Sequence, residues 1–159
     1  MKIPKRMQSL IDLRDAIGGD SEVTVIDFEN VVRTDFHNGF DVEVSGGFTL
    51  DKTKELHVYL WFMKSMIVLP CVHATREEVP EVVRQMEYYT RQLIKDGHAN
   101  FEFISNSRTT WEDVLETNRQ RQDGSRKDVG TETTVARKHQ REYWRKSGKG
   151  CRKETMERR

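Results

Sequence analysis

The chain has 159 residues, 27 of them Lys or Arg and 26 Asp or Glu, for a net charge of +1. That length excludes two full-sized domains, and the two cysteines exclude a disulfide scaffold and point to a reducing compartment. The longest apolar stretch, Val58 to Val72, is broken by Lys64-Ser65 and is too short to cross a bilayer as a helix. The basic start, Met1 to Arg6, leads into Gln8-Ser9 rather than an apolar run. No signal peptide or membrane segment is therefore expected, and the expected location is the cytoplasm.

In chain order, residues 4–17 read as a helix. Met7, Leu10, Ile11, Arg14 and Ile17 recur at helical spacing, Pro4 suits a first turn, and Gly18-Gly19 supplies the stop. Residues 22–34 are rich in β-branched and aromatic types and read as one strand, bulged near Asp27. Asn38-Gly39 signals a hairpin turn, after which Phe40, Val42 and Val44 alternate with Asp41, Glu43 and Ser45. Gly46-Gly47 ends that strand. Residues 55–63 are apolar on both faces, which predicts a central strand or one whose second face meets a partner. Met66 to Val72 reads as a fourth strand or as an extension of the third, since Lys64-Ser65 is poor turn chemistry.

The second helix has the clearest signal: Val79, Val82, Val83, Met86, Tyr89 and Leu93 form one stripe, and Gly97 follows. Thr75-Arg76-Glu77-Glu78 has the form of a capping box, while Pro80 prefers a first turn. Phe101 and Phe103 alternate about Glu102 as a short strand, and residues 109–115 read as a short capped helix. The expected fold is α+β. A small antiparallel sheet of four to five strands is packed by two main helices in the order α-β-β-β-(β)-α-β-α, with no internal repeat.

Charge divides the chain. Residues 1–117 hold 13 Lys+Arg and 20 Asp+Glu, a net of −7, and residues 118–159 hold 14 and 6, a net of +8. Only seven of the last 42 residues are apolar, too few to offset backbone ordering of about 1–2 kcal/mol per residue. The expected domains are an acidic α+β unit over 1–117 and a basic tail over 118–159, disordered or partly helical. Within the tail, Arg137, Lys138, Arg141, Arg145 and Lys146 flank Tyr143 and Trp144. Cations neutralise phosphates and aromatic rings stack on unpaired bases, so this run is the candidate nucleic-acid contact, RNA or DNA. No zinc finger or RNP sequence accompanies it, so sequence-specific duplex recognition is not expected.

Tyr59 and Trp61 form a second candidate, an aromatic pair on the second face of the third strand and suited to a protein partner. A third candidate lies in the sheet carboxylates Asp27, Glu29, Asp41, Glu43 and Glu55. With a helix, three strands, a helix and a strand, the pair Gly39-Phe40-Asp41 and Glu55-Leu56-His57 resembles the restriction-endonuclease-like nucleases. The resemblance implies Mg²⁺ held by Asp41 and Glu55, and His57 stands where that family has Lys. Cys71-Val72-His73, with His98, lacks the second ligand pair of structural zinc, so no metal or cofactor is expected. Cys151 stands alone in the tail. The expected function is a non-catalytic accessory or adaptor protein, its tail on nucleic acid and its acidic domain on a protein. The alternatives are the Mg²⁺-dependent nuclease and a purely protein-binding regulator with a docking tail. The sequence leaves oligomeric state open.

Overall fold

The computed structural model describes residues 2–126. The tail residues Arg137 to Lys146 and Cys151 therefore lie outside the described residues. The chain divides after Asn118 into two units; of the second only the segment up to Arg126 is described. The fold is α+β: a helix, six strands of one antiparallel sheet, then three helices.

Helix α1 (Lys5–Ile17) begins after Pro4 and ends at Gly18, whose φ of 74° favours a residue without a Cβ. Strands β1 (Ser21–Ile26) and β2 (Glu29–Asp35) pair antiparallel, where the sequence predicts one bulged strand. The reversal is a two-residue turn at Asp27 and Phe28, with φ of 47° and 67°. Such turns normally carry Asn-Gly or Asp-Gly, and Phe in the second position hides the signal. The Asn38-Gly39 turn joins β2 to β3 (Phe40–Ser45) as expected; the Asn38 side chain accepts from Phe40 N at 3.1 Å. Strand β4 (Leu56–Phe62) pairs with β3 along its whole length, placing Val42 opposite Leu60 and Val44 opposite Val58.

The segment after β4 differs from its predicted form. Met63 and Lys64 both take positive φ and reverse the chain, and two short strands follow, β5 (Met66–Ile67) and β6 (Val72–Ala74). Both pair with the same edge of β4, β5 at Trp61 and Phe62 and β6 at Leu56 to Val58. Pro70, which has no N–H to give a ladder, lies in the break between them. The predicted strand at residues 101–103 is instead helix α3 (Phe101–Asn106), because the Asn100 side chain accepts from Phe103 N and caps a first turn. The short helix at 109–115 extends into α4 (Trp111–Arg126), opened by a reciprocal bond pair between Thr110 and Asp113.

Helix α2 (Val79–Lys95) buries the predicted stripe, with Met86 fully inaccessible. Thr75 donates both its N–H and its hydroxyl to the Glu78 carboxylate at 2.9 Å, one turn ahead of the helix, and Pro80 lies in the first turn of α2. On one face of the sheet Val32, Val42, Val44, Leu56, Val58, Leu60 and Phe62 meet Leu10 and Leu13 of α1 and the α2 stripe. Each such side chain contributes about 1.5–3 kcal/mol when fully buried. Arg76 fastens this layer. Its guanidinium donates to Ser9 O at 2.9 Å and to Gly47 O at 3.0 Å, tying α1 to the β3–β4 loop. Later in the chain, Asn118 is buried and donates to Gln85 O at 3.0 Å, which ties α4 to α2. The α1 and α2 contacts fall on one side of the sheet.

The Asp27-Phe28 turn yields a test. The Phe28 side chain is wholly exposed, so no packing offsets its left-handed backbone. Phe28→Gly should stabilise the fold by about 1 kcal/mol, read as a higher urea midpoint at unchanged slope.

Candidate functional site

Alternation along the strands sends Asp41, Glu43 and Ser45 of β3 and His57, Tyr59 and Trp61 of β4 to the face opposite the core. Tyr59 and Trp61, the predicted partner pair, sit side by side there, both half-buried. Helices α1 and α2 pack on the other face, yet Asp41 is only 6% exposed and Glu43 only 8%. The Trp61 indole leans diagonally across the strand pair and donates Nε1–H to Glu43 Oε2 at 3.0 Å. Arg33, from β2, donates Nε–H to Asp41 Oδ2 at 2.8 Å, while its Nη2 is buried without an acceptor.

The charges are poorly balanced. Asp35 stands directly opposite Asp41 in the β2–β3 register, a like-charge pair that costs stability unless a cation bridges it. Arg33 is that cation, and its bond to Asp41 is the chief cause of a guanidinium pKa raised further above its ordinary value. Glu43 has no such partner among the described residues. Burial pushes its carboxyl up from the ordinary range. The Trp61 hydrogen bond opposes this, and the nearby charges of Asp27, Glu29 and Asp41 add to it. The Tyr59 hydroxyl lies beside the Cys71 thiol; that hydrogen bond first, then burial, raises the phenol's pKa.

The carboxylates of the nuclease resemblance are not brought together. Asp41 pairs with Trp61 near one end of β4, and Glu55 precedes the other end. Six residues of extended chain separate Glu55 from Trp61, roughly 20 Å at about 3.3 Å each. Glu55 lies instead 4.0 Å from His73, and the His73 ring meets His57 edge to face at 4.7 Å. The last strand of that element order is helix α3 here. His98 stacks on Phe103, away from Cys71 and His73 of the sheet. Among the described residues no group of three or more His, Cys, Asp or Glu is arranged to hold a metal. No described helix is long and apolar enough to cross a membrane.

Arg33 escapes the sequence reading. The signal for it lies in the Asn38-Gly39 hairpin, whose register sets Arg33 on the same face as Asp41 and Glu43. No protein-family model, curated protein or solved structure matches this chain.

Glu43 supplies a pH test. Its native carboxyl binds a proton more tightly than the unfolded one, so ionising it costs native stability. The cost is absent below the unfolded value, grows as pH rises through the higher native value, and persists above it. Glu43→Gln keeps an oxygen for Trp61 Nε1–H and removes the charge. Its melting temperature should exceed the parent's at neutral pH and converge with it in acid.

Proposed function

We propose that this chain is a non-catalytic accessory protein in nucleic-acid processing or regulation. Residues 118–159 contact nucleic acid, and the acidic α+β unit takes a protein partner on the sheet face opposite its core. The observation that carries this reading is the separation of charge along the chain, −7 over residues 1–117 against +8 over residues 118–159. An acidic unit repels phosphate and leaves nucleic acid to the basic segment. Support for the partner comes from Tyr59 and Trp61, large half-exposed rings on the face opposite α1 and α2. The Mg²⁺-dependent nuclease draws no support from the separation of Asp41 and Glu55 along the sheet.

The basic segment is tested with a labelled single-stranded oligonucleotide. If about five phosphates are neutralised, the slope of log K against log[salt] is near −3.5, from about −0.7 per phosphate. Tyr143→Ala with Trp144→Ala should cost about 1–3 kcal/mol per stacked base and leave the slope unchanged. Replacing Arg137, Lys138, Arg145 and Lys146 with Gln should flatten the slope, because charge alone carries the salt dependence. No binding at low salt would overturn the nucleic-acid part and favour the purely protein-binding regulator.

A further inference from the structure

Resting on the partner reading above, we propose that the sheet face opposite the core binds an arginine-bearing basic peptide segment of the partner protein. One guanidinium sits against the rings of Tyr59 and Trp61 and pairs with Glu43.

The chemistry of the face selects a cation. Glu43 is 8% exposed, and the charges of Asp27, Glu29 and Asp41 add to the burial that raises its carboxyl pKa. The guanidinium opposite it in the β2–β3 register, Arg33, gives its hydrogen bond to Asp41 at 2.8 Å. What Glu43 holds is a neutral donor, the Trp61 N–H at 3.0 Å on Oε2, and no described residue donates to Oε1. A buried carboxylate without a counter-charge is a standing cost, and a cation brought by a ligand removes it. Anionic ligands, phosphate among them, meet Asp35, Asp41 and Glu43 together and are repelled.

Two features narrow the cation to arginine. The hydrogen bond to Glu43 pins the Trp61 indole, so one ring wall of the site is fixed before a ligand arrives. Tyr59 stands directly opposite Glu43 in the β3–β4 register and supplies the second ring. A planar guanidinium stacks on aromatic rings and still donates in its own plane to a carboxylate, which a lysine ammonium cannot do. The face is a run of adjacent antiparallel strands, which suits an extended segment. Charge complementarity runs the same way across the whole unit, at −7.

The probe is a fluorescein-labelled peptide of five Arg alternating with Ala, titrated with the full chain and read by anisotropy. Peptides with Lys or Glu in place of Arg serve as controls. The Arg peptide should bind and weaken with salt, the Lys peptide should bind about threefold more weakly, and the Glu peptide should not bind. Tyr59→Ala with Trp61→Ala leaves net charge unchanged and should weaken the Arg peptide about tenfold. Glu43→Gln should weaken it about fivefold, and because that variant is expected to melt no lower than the parent, unfolding cannot explain the loss. Failure of the Arg peptide to bind, or binding that both variants leave intact, overturns the proposal. The same preparations are tested with the labelled oligonucleotide. Oligonucleotide binding with no peptide binding removes this inference alone, whereas loss of both removes the accessory reading with it.

Discussion

The register between β3 and β4 is the constraint on which the rest of the molecule depends. Val42 faces Leu60 and Val44 faces Val58, so all four point toward α1 and α2. Side chains alternate with a period of two, and a slip of one residue on β3 would send Asp41, Glu43 and Ser45 beneath the helices. Three polar groups would then replace three apolar ones in the core. The Asn38-Gly39 turn fixes the β2–β3 side of this arrangement, and the full-length pairing of β4 fixes the other. The same alternation that builds the core therefore builds the opposite face. Tyr59, Trp61, Glu43 and Arg33 owe their placement to it.

Much of this was legible in the residues because it follows from period. The stripe of α2, the two-sided apolar pattern of β4 and the Asn38-Gly39 hairpin each carry a repeated or chemically specific signal. The failures occur where one local bond outweighs a weak pattern. Phe101 and Phe103 alternate like a strand, but two residues are too few to set a period, and the Asn100 cap decides for helix. Asp27 and Phe28 turn the chain with left-handed φ on residues that seldom adopt it. Leu13 is 1% exposed although it falls outside the stripe read from the first helix, because Gly47 lets the helix approach the β3–β4 loop closely. A Cβ at Gly47 would lie 3.0 Å from both Leu10 and Leu13.

The candidate site was legible in part, and for a definable reason. Asp41, Glu43, Tyr59 and Trp61 follow from alternation alone, which says which face a side chain occupies. It does not say which neighbour the side chain reaches. Trp61 leans to Glu43 rather than to Asp41, its directly paired residue, and Arg33 chooses Asp41 rather than Glu43. These diagonal choices decide which carboxylate is neutralised. They depend on side-chain length and rotamer across three strands, which strand pattern does not encode. The distance between Asp41 and Glu55 is a matter of register as well. Residues whose spacing resembles a metal-binding pair lie near opposite ends of one strand once β3 runs antiparallel to β4.

The polar face departs from what stability alone would select. Asp35 opposes Asp41, Arg33 keeps a buried Nη2 without an acceptor, and Glu43 is buried among like charges. Replacing a whole buried ionic group with well-packed apolar residues is often neutral or stabilising, so charges are not what stability alone would place at these positions. The helix side of the same strands shows the contrast, since its buried positions are almost wholly apolar and closely packed. Groups that break a local rule without a compensating contact mark the places where a chain is shaped by something other than its own folding. On this face Arg33 bonds Asp41, and among the described residues no cation bonds Glu43.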